Sequence, residues 1–300
     1  MKRKLVKQGA ATLMVSLPSK WIKQFSLKKG NEIDVEEKGR DIIIRSEPSK
    51  EVRKVKINIS EMGLLGKRSI GALYKAGYDE IEIDFEKAEE ISKVYSVLNE
   101  LIGFEIIKQS EKGCVIKEIT SASESNFDTI FNRTFLMLIS VSEDCVSSIK
   151  NRNFEMLATI PDRDLIINKY ANFCRRILNR GYAGTEKTPM LYYIIEELEN
   201  LGDEYKHLAR FFVEKKIRAN QKTVDVLEKI NALAKDFYSL NKKFEKGSAV
   251  SFGEKIKKTS AEISELLKTK NVDEIKMLDY MSRMVQIIFN MLGPLMTMAL

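Results

Sequence analysis

The sequence predicts a multidomain α+β chain: a small N-terminal β unit, a small α/β connector and a C-terminal all-α bundle. Three observations carry this. Short apolar runs and turn signals crowd residues 1–47, strand alternation and helical periodicity mix over 48–122, and residues 123–300 are helical in period almost throughout. A chain of 300 residues has room for two or three domains, at ~100–150 residues each. Its composition, 44% apolar and 31% charged, is that of a folded protein rather than a disordered one.

The first unit reads in order from its apolar residues. Lys4-Leu5-Val6-Lys7 and Thr12-Leu13-Met14-Val15-Ser16-Leu17 are strand-like. A helix begins at Pro18–Ser19, where proline suits a helix start, and Trp21, Ile22 and Phe25 form its apolar face. Lys29-Gly30-Asn31-Glu32 is a turn. Ile33-Asp34-Val35 and Ile42-Ile43-Ile44 then pair across Lys38-Gly39-Arg40-Asp41. So few short elements bury little core, and units of this size need outside cover, which an interleaved dimer supplies.

Charge is concentrated in this unit. The first 31 residues hold Lys2, Arg3, Lys4, Lys7, Lys20, Lys23, Lys28 and Lys29 and no carboxylate before Glu32. Residues 1–47 carry a net +5 of the chain's +7. A local cationic run on a strand-rich unit is an electrostatic footprint for nucleic acid, and a solvated surface is the plainer alternative.

With Gly9 after the first strand, the Val15-Ser16-Leu17-Pro18 step, the Trp21-to-Leu27 helix, the Lys29-Gly30 turn and the final hairpin, residues 1–47 resemble the AbrB/MazE swapped-hairpin DNA-binding domain. The resemblance implies two interleaved chains and basic residues against DNA. The eight cations named above are then the DNA-contacting set. Seven are lysines, which act as point charges, so the unit is suited to phosphate contact more than to base readout.

Pro48-Ser49 marks a linker to residues 48–122, whose pattern is βαβαββ. Strands are expected at Val52–Ile59, Tyr78–Phe85, Phe104–Gln109 and Cys114–Ile119, and helices at Gly66–Ala76 and Lys87–Ile102. Gly63-Leu-Leu-Gly-Lys-Arg-Ser69 lacks the spacing of a P-loop. The default role is that of a connector.

Residues 123–300 present six helices: Phe127–Lys150, Asp164–Leu178, Thr188–Lys215, Thr223–Phe244, Gly253–Lys268 and Val272–Leu300. Short loops imply antiparallel neighbours, and two sets of three imply an internal duplication. The tail from Met284 to Leu300 lacks charge, but Gln286, Asn290 and Pro294 make it a last buried helix rather than a membrane span. No secretory leader is expected, and the wide, odd spacing of Cys114, Cys145 and Cys174 points to idle thiols in a cytoplasmic protein.

Glu196, Glu199, Asp203 and His207 fall at i, i+3, i+7 and i+11 of the third bundle helix and share a face. Like charges so placed repel unless a cation offsets them. That cation is either a neighbouring basic side chain or a metal held by carboxylates and the chain's single imidazole. Arg175, Arg176 and Arg180 are internal partners for these acids or an anion site; no glycine-rich nest accompanies them, which favours partners.

The stretch from Leu198 to Ala209 (LENLGDEYKHLA) resembles the LERIGDHAxNIA signature of PhoU, a phosphate-uptake regulator built of two three-helix repeats. Asp164-Leu-Ile-Ile-Asn168 resembles its DxxVN motif. The family's acidic motifs form metal clusters, so the resemblance implies a divalent or ferric ion on Glu196, Glu199, Asp203 and His207. In the second repeat Arg283 stands where an aspartate belongs, so Asp273 and Asp279 there are expected to be solvated or salt-bridged.

An AbrB-like unit ahead of a PhoU-like bundle resembles an archaeal phosphate regulator. The expected function is a cytoplasmic, DNA-binding transcriptional regulator of phosphate uptake. It dimerises through the N-terminal domain and meets a phosphate ABC transporter ATPase or a signalling partner, without stable membrane insertion. The alternatives are a transporter adaptor that does not bind DNA and an antitoxin-like scaffold; the long helical region speaks against the latter. No enzyme is expected: there is one histidine, no nucleophile motif, and Glu204-x-x-His207 has no second copy.

Overall fold

The computed structural model describes residues 2–9, 12–38, 41–46, 52–120, 126–181 and 184–300. The chain divides into two compact units, Met1–Val52 and Arg53–Leu300.

The first unit has an antiparallel hairpin of β1 (Val6–Gln8) and β2 (Thr12–Met14), helix α1 (Ser19–Gln24), and a second hairpin of β3 (Ile33–Lys38) and β4 (Asp41–Ser46). In the second hairpin Val35 opposes Ile44 and Lys38 opposes Asp41; the intervening Gly39-Arg40, like the Pro48-Ser49 linker, lies outside the described residues. The order matches the pattern of apolar runs. Burial does not resemble a finished domain. Among the side chains described in this unit no apolar one is buried, and Leu5, Leu13, Val35 and Ile42 are each about 60% exposed or more. Trp21 and Phe25 meet one helical turn apart with their rings tilted by 55°, centroids 5.5 Å apart.

The second unit begins with a mixed sheet, β5 (Lys54–Asn58), β6 (Glu80–Asp84), β7 (Phe104–Ser110) and β8 (Gly113–Glu118), in the order β5-β6-β8-β7. β5 and β6 are parallel, joined through α2 (Gly66–Lys75); the other pairs are antiparallel. Helix α3 (Ile91–Leu98) is shorter than the expected Lys87–Ile102, since a 3-10 turn, Ala88–Glu90, occupies the start. Ile81, Ile83, Cys114 and Ile116 alternate inward onto Ile70, Tyr74, Val94 and Val97, while on the other face Lys54 and Lys117 pair with Glu80 and Lys56 pairs with Glu82 across the strands.

The bundle follows: α4 (Phe127–Asn151), α5 (Phe154–Asn179), α6 (Gly184–Lys215), α7 (Gln221–Lys242), α8 (Lys246–Leu266), α9 (Val272–Asn290) and α10 (Leu292–Ala299). α4, α5 and α6 pack on one another, as do α7, α8 and α9, and the two sets meet through α4 against α7 and α6 against α9. One continuous apolar core fills both sets. A buried hydrogen bond, Tyr205 Oη to Asn231 Oδ1 at 2.7 Å, ties α6 to α7 across it.

Several helix ends differ from expectation, with α6 starting at Gly184 rather than Thr188, and three of them have a clear local reason. α5 starts ten residues before Asp164, because Asn153 caps it by accepting from the Met156 amide and Pro161 rides inside the helix. α8 starts at Lys246 rather than Gly253, its two glycines being carried within the helix. The last helix breaks at Met291, since Pro294 has no N–H to offer the Asn290 carbonyl. The tail is a buried bundle element in Met284, Ile288, Met291 and Leu295, and no helix among the described residues is long and apolar enough to cross a membrane.

The sheet layer and the bundle have separate apolar cores but form one compact unit. Arg176 of α5 joins them. Its guanidinium is fully buried and donates from Nη1 to the Tyr74 and Tyr78 carbonyls (3.0 and 2.6 Å) and from Nη2 to Asp79 and Glu118 (2.9 and 3.0 Å). It lies 5.0 Å from the ring centroids of both Tyr74 and Phe104. Arg180, one turn on, reaches Asp79 and Glu118 as well. Gly77 makes room: its φ is +89°, and a Cβ there would stand 3.0 Å from Arg53 Nη1 and 3.1 Å from Arg180 Cγ.

Candidate nucleic-acid interface and acidic helix face

The eight N-terminal cations are all exposed. Lys7 lies on β1, Lys20 and Lys23 on α1, and Lys28 and Lys29 on the turn after it. That turn is set by the Lys28 amide donating to Asn31 Oδ1 at 2.6 Å and by Gly30 at φ +91°. The cations therefore come from a strand, a helix and a loop of one small unit. Such an arrangement can neutralise phosphates along a backbone and brings no base-reading fork apart from Arg3.

The acidic face of α6 is built differently from a metal cradle. Glu196 and Glu199 converge on one guanidinium, that of Arg175 on α5, which bonds both carboxylates. Arg175 is buried, and its remaining donors go to Asn172 Oδ1 (3.1 Å) and the Ala171 carbonyl (3.3 Å). Burial pushes the Glu199 carboxyl up, against the pull of Arg175. Asp203 takes another partner: it shares Lys206 Nζ with Asp164 of α5, whose Oδ2 lies 2.7 Å away. His207 is exposed, close enough to Asp164 for their charges to interact, with its ring 6.5 Å from that of Tyr280 on α9.

The two members of the Asp164–Lys206 pair respond to opposite influences. Asp164 is 1% exposed, and burial raises its pKa more than Lys206 lowers it. Lys206 sits nearer solvent; burial pulls it down, but hydrogen bonds to Asp164 and Asp203 outweigh this and its pKa is raised. The 2.7 Å separation favours the ion pair as the resident form.

The four residues expected to share a metal are thus distributed among Arg175, Lys206 and Tyr280. Among the described residues no group of three or more His, Cys, Asp or Glu side chains is placed to hold a metal ion. As arranged, they do not fit one. Of the three arginines expected to face these acids, Arg175 does; Arg176 and Arg180 turn instead to the sheet residues Asp79 and Glu118. In the second repeat Asp279 is salt-bridged to Arg283, which also reaches Glu204 at 3.0 Å. Sequence reasoning missed Lys206, and it read Glu204 only as part of a Glu-x-x-His spacing, not as a partner of Arg283. The one legible signal was Lys206 three residues after Asp203, an i,i+3 ion-pair spacing.

Residues 6–53 match the family model described as antidote-toxin recognition MazE, bacterial antitoxin. The N-terminal unit is a domain of the MazE/AbrB type. Among solved structures the chain is similar to the phosphate transport system regulatory protein PhoU from Streptococcus pneumoniae, at 14% identity and a TM-score of 0.48, over 57% of this chain and 92% of that one. No curated protein matches the chain.

Proposed function

We propose that this protein is a cytoplasmic DNA-binding transcriptional regulator of phosphate uptake that works as a homodimer through its N-terminal unit. The observation that carries the reading is the set of eight exposed cations, Lys2 to Lys29, on a MazE-type unit whose first 31 residues hold no carboxylate. The dimer is supported by the apolar side chains that this unit leaves exposed, Leu5, Leu13, Val35 and Ile42. The phosphate connection rests on the likeness of Leu198–Ala209 and Asp164–Asn168 to the PhoU motifs. The role is non-enzymatic, and the partner met by the bundle is a phosphate ABC transporter ATPase or a signalling protein.

The competing reading is an adaptor of such a transporter that never meets DNA. It draws on the same bundle motifs but leaves the cationic run without a purpose. Fluorescence anisotropy separates the two, using duplex DNA from a phosphate-transporter promoter and an unrelated duplex across a salt series. The regulator should show a log-affinity slope against log salt of about −4 or steeper, the mark of several neutralised phosphates. It should also prefer the promoter duplex by about tenfold, ~1.4 kcal/mol. No binding at low salt, together with capture of the transporter ATPase, supports the adaptor.

A further inference from the structure

Three cations of the bundle stand where its carboxylates converge, from one helix at Arg175 and from two helices at Arg283 and Lys206. Arg175 joins Glu196 and Glu199; Arg283 joins Glu204 at 3.0 Å and Asp279 at 2.5 Å; Lys206 joins Asp203 and, at 2.7 Å, Asp164. Paired carboxylates in a half-dry setting repel, and either a divalent ion or a side-chain cation relieves them.

The Lys206 position holds the most deeply buried carboxylate of the three. Asp164 is 1% exposed, and its second oxygen, Oδ1, is buried without a hydrogen-bond partner. Asn168 Oδ1, one turn along α5, is likewise buried and unpartnered. Gly202 lies opposite, where a Cβ would come within 3.1 Å of Asp164 Oδ1. Asp164 and Asp203 offer carboxylate oxygens, the chemistry of a hard divalent ion, around a space that already holds an ammonium group, and Asn168 borders it with Nδ2 3.4 Å from Asp164 Oδ2. An ion bound through oxygens at ~2.0–2.6 Å cannot share that space with Lys206 Nζ.

We propose that Lys206 is a resident substitute for a divalent ion between Asp164 and Asp203, so that the folded bundle is independent of metal. The ammonium supplies charge and three donors, and it arrives with the chain rather than from solution. The acids of this helix face then serve to fasten α5 to α6. This inference does not depend on the DNA reading.

The test is thermal unfolding of the full chain, followed by far-ultraviolet circular dichroism, in EDTA, in Mg2+ and in Mn2+. Wild-type protein should melt within about 1 °C in all three. Lys206→Ser should melt lower in EDTA and rise by about 5–10 °C in saturating Mn2+, as the vacated oxygens take the ion. Wild-type protein that gains several degrees from Mn2+, or loses them to EDTA, overturns the proposal. So does a folded Lys206→Ser variant that Mn2+ leaves unmoved. Should that variant not fold, wild-type protein equilibrated with Mn2+ and desalted is analysed for metal: no retained ion supports the proposal, and one ion per chain refutes it.

Discussion

Replacing Arg176 with alanine tests whether one buried guanidinium unites the sheet layer and the bundle. The change removes two hydrogen bonds to the Tyr74 and Tyr78 carbonyls and withdraws a charge from Asp79 and Glu118, whose side chains are only 13% and 12% exposed. Removing one partner of a buried ion pair costs about 3–5 kcal/mol. Arg180 still reaches both carboxylates, which places the expected loss near ~3 kcal/mol, the lower end of that range. At about 2–4 °C per kcal/mol for a unit of this size, the melting temperature should fall by about 6–12 °C. The assay is urea and thermal denaturation of the full chain, read by far-ultraviolet circular dichroism. A double-mutant cycle with Asp79→Asn should return a coupling of about 1–3 kcal/mol. A loss under about 1 kcal/mol, or a coupling near zero, would refute the assignment of Arg176 as the fastening between the two layers.

Other outcomes follow from the same physical reasoning. Gly253→Ala, in the middle of α8 with open space at the Cβ position, should stabilise by about 1 kcal/mol. Gly202→Ala should not: its Cβ would stand 3.1 Å from Asp164 Oδ1 and 3.2 Å from Ile167 Cδ1, and overpacking of about 1–3 kcal/mol cancels the helical gain. Equal urea midpoints for the two variants would refute the packing argument. Burial pushes the Cys114 thiol up to about 11 and Cys145 to about 12, and it raises Cys174 as well; native protein should resist Ellman's reagent, and all three thiols should react in urea. For Asp79, burial raises the carboxyl pKa, but the Arg53 amide and the Arg180 and Arg176 guanidinia prevail and hold it below the ordinary value. A depressed folded-state pKa means the contribution is complete above the ordinary carboxylate pKa of ~3.9 and is lost as pH falls through the folded value. The stability gap between wild type and Asp79→Asn should therefore narrow below about pH 4; a constant gap would contradict it.

Much of the architecture is legible along the chain because it depends on near neighbours. The cationic run before Glu32, the alternation of Ile81 and Ile83, and the helical repeat of Phe131, Phe135, Leu138 and Val141 are local patterns, and each appears where its period places it. Helix ends were less legible wherever a proline or glycine was carried inside a longer helix, as at Pro161 and Gly247. On the acidic face the four acid and histidine positions could be read from spacing alone, but their partners could not.

What the sequence alone determined, then, is the succession of units, the sign and location of the charge, and the row of acids on α6. Tertiary structure decided what those charges do. Arg175 and Arg176 are adjacent in the chain and project to different worlds, the first to Glu196 and Glu199 of α6, the second to Asp79, 97 residues back in the sheet layer. Asp203 is bound through a lysine that also holds Asp164, 42 residues away from it. The physical reason is the range of the forces involved. Helical and strand periods are set within a few residues, whereas the stability of a buried charge depends on whichever carboxylate the fold brings within hydrogen-bond distance.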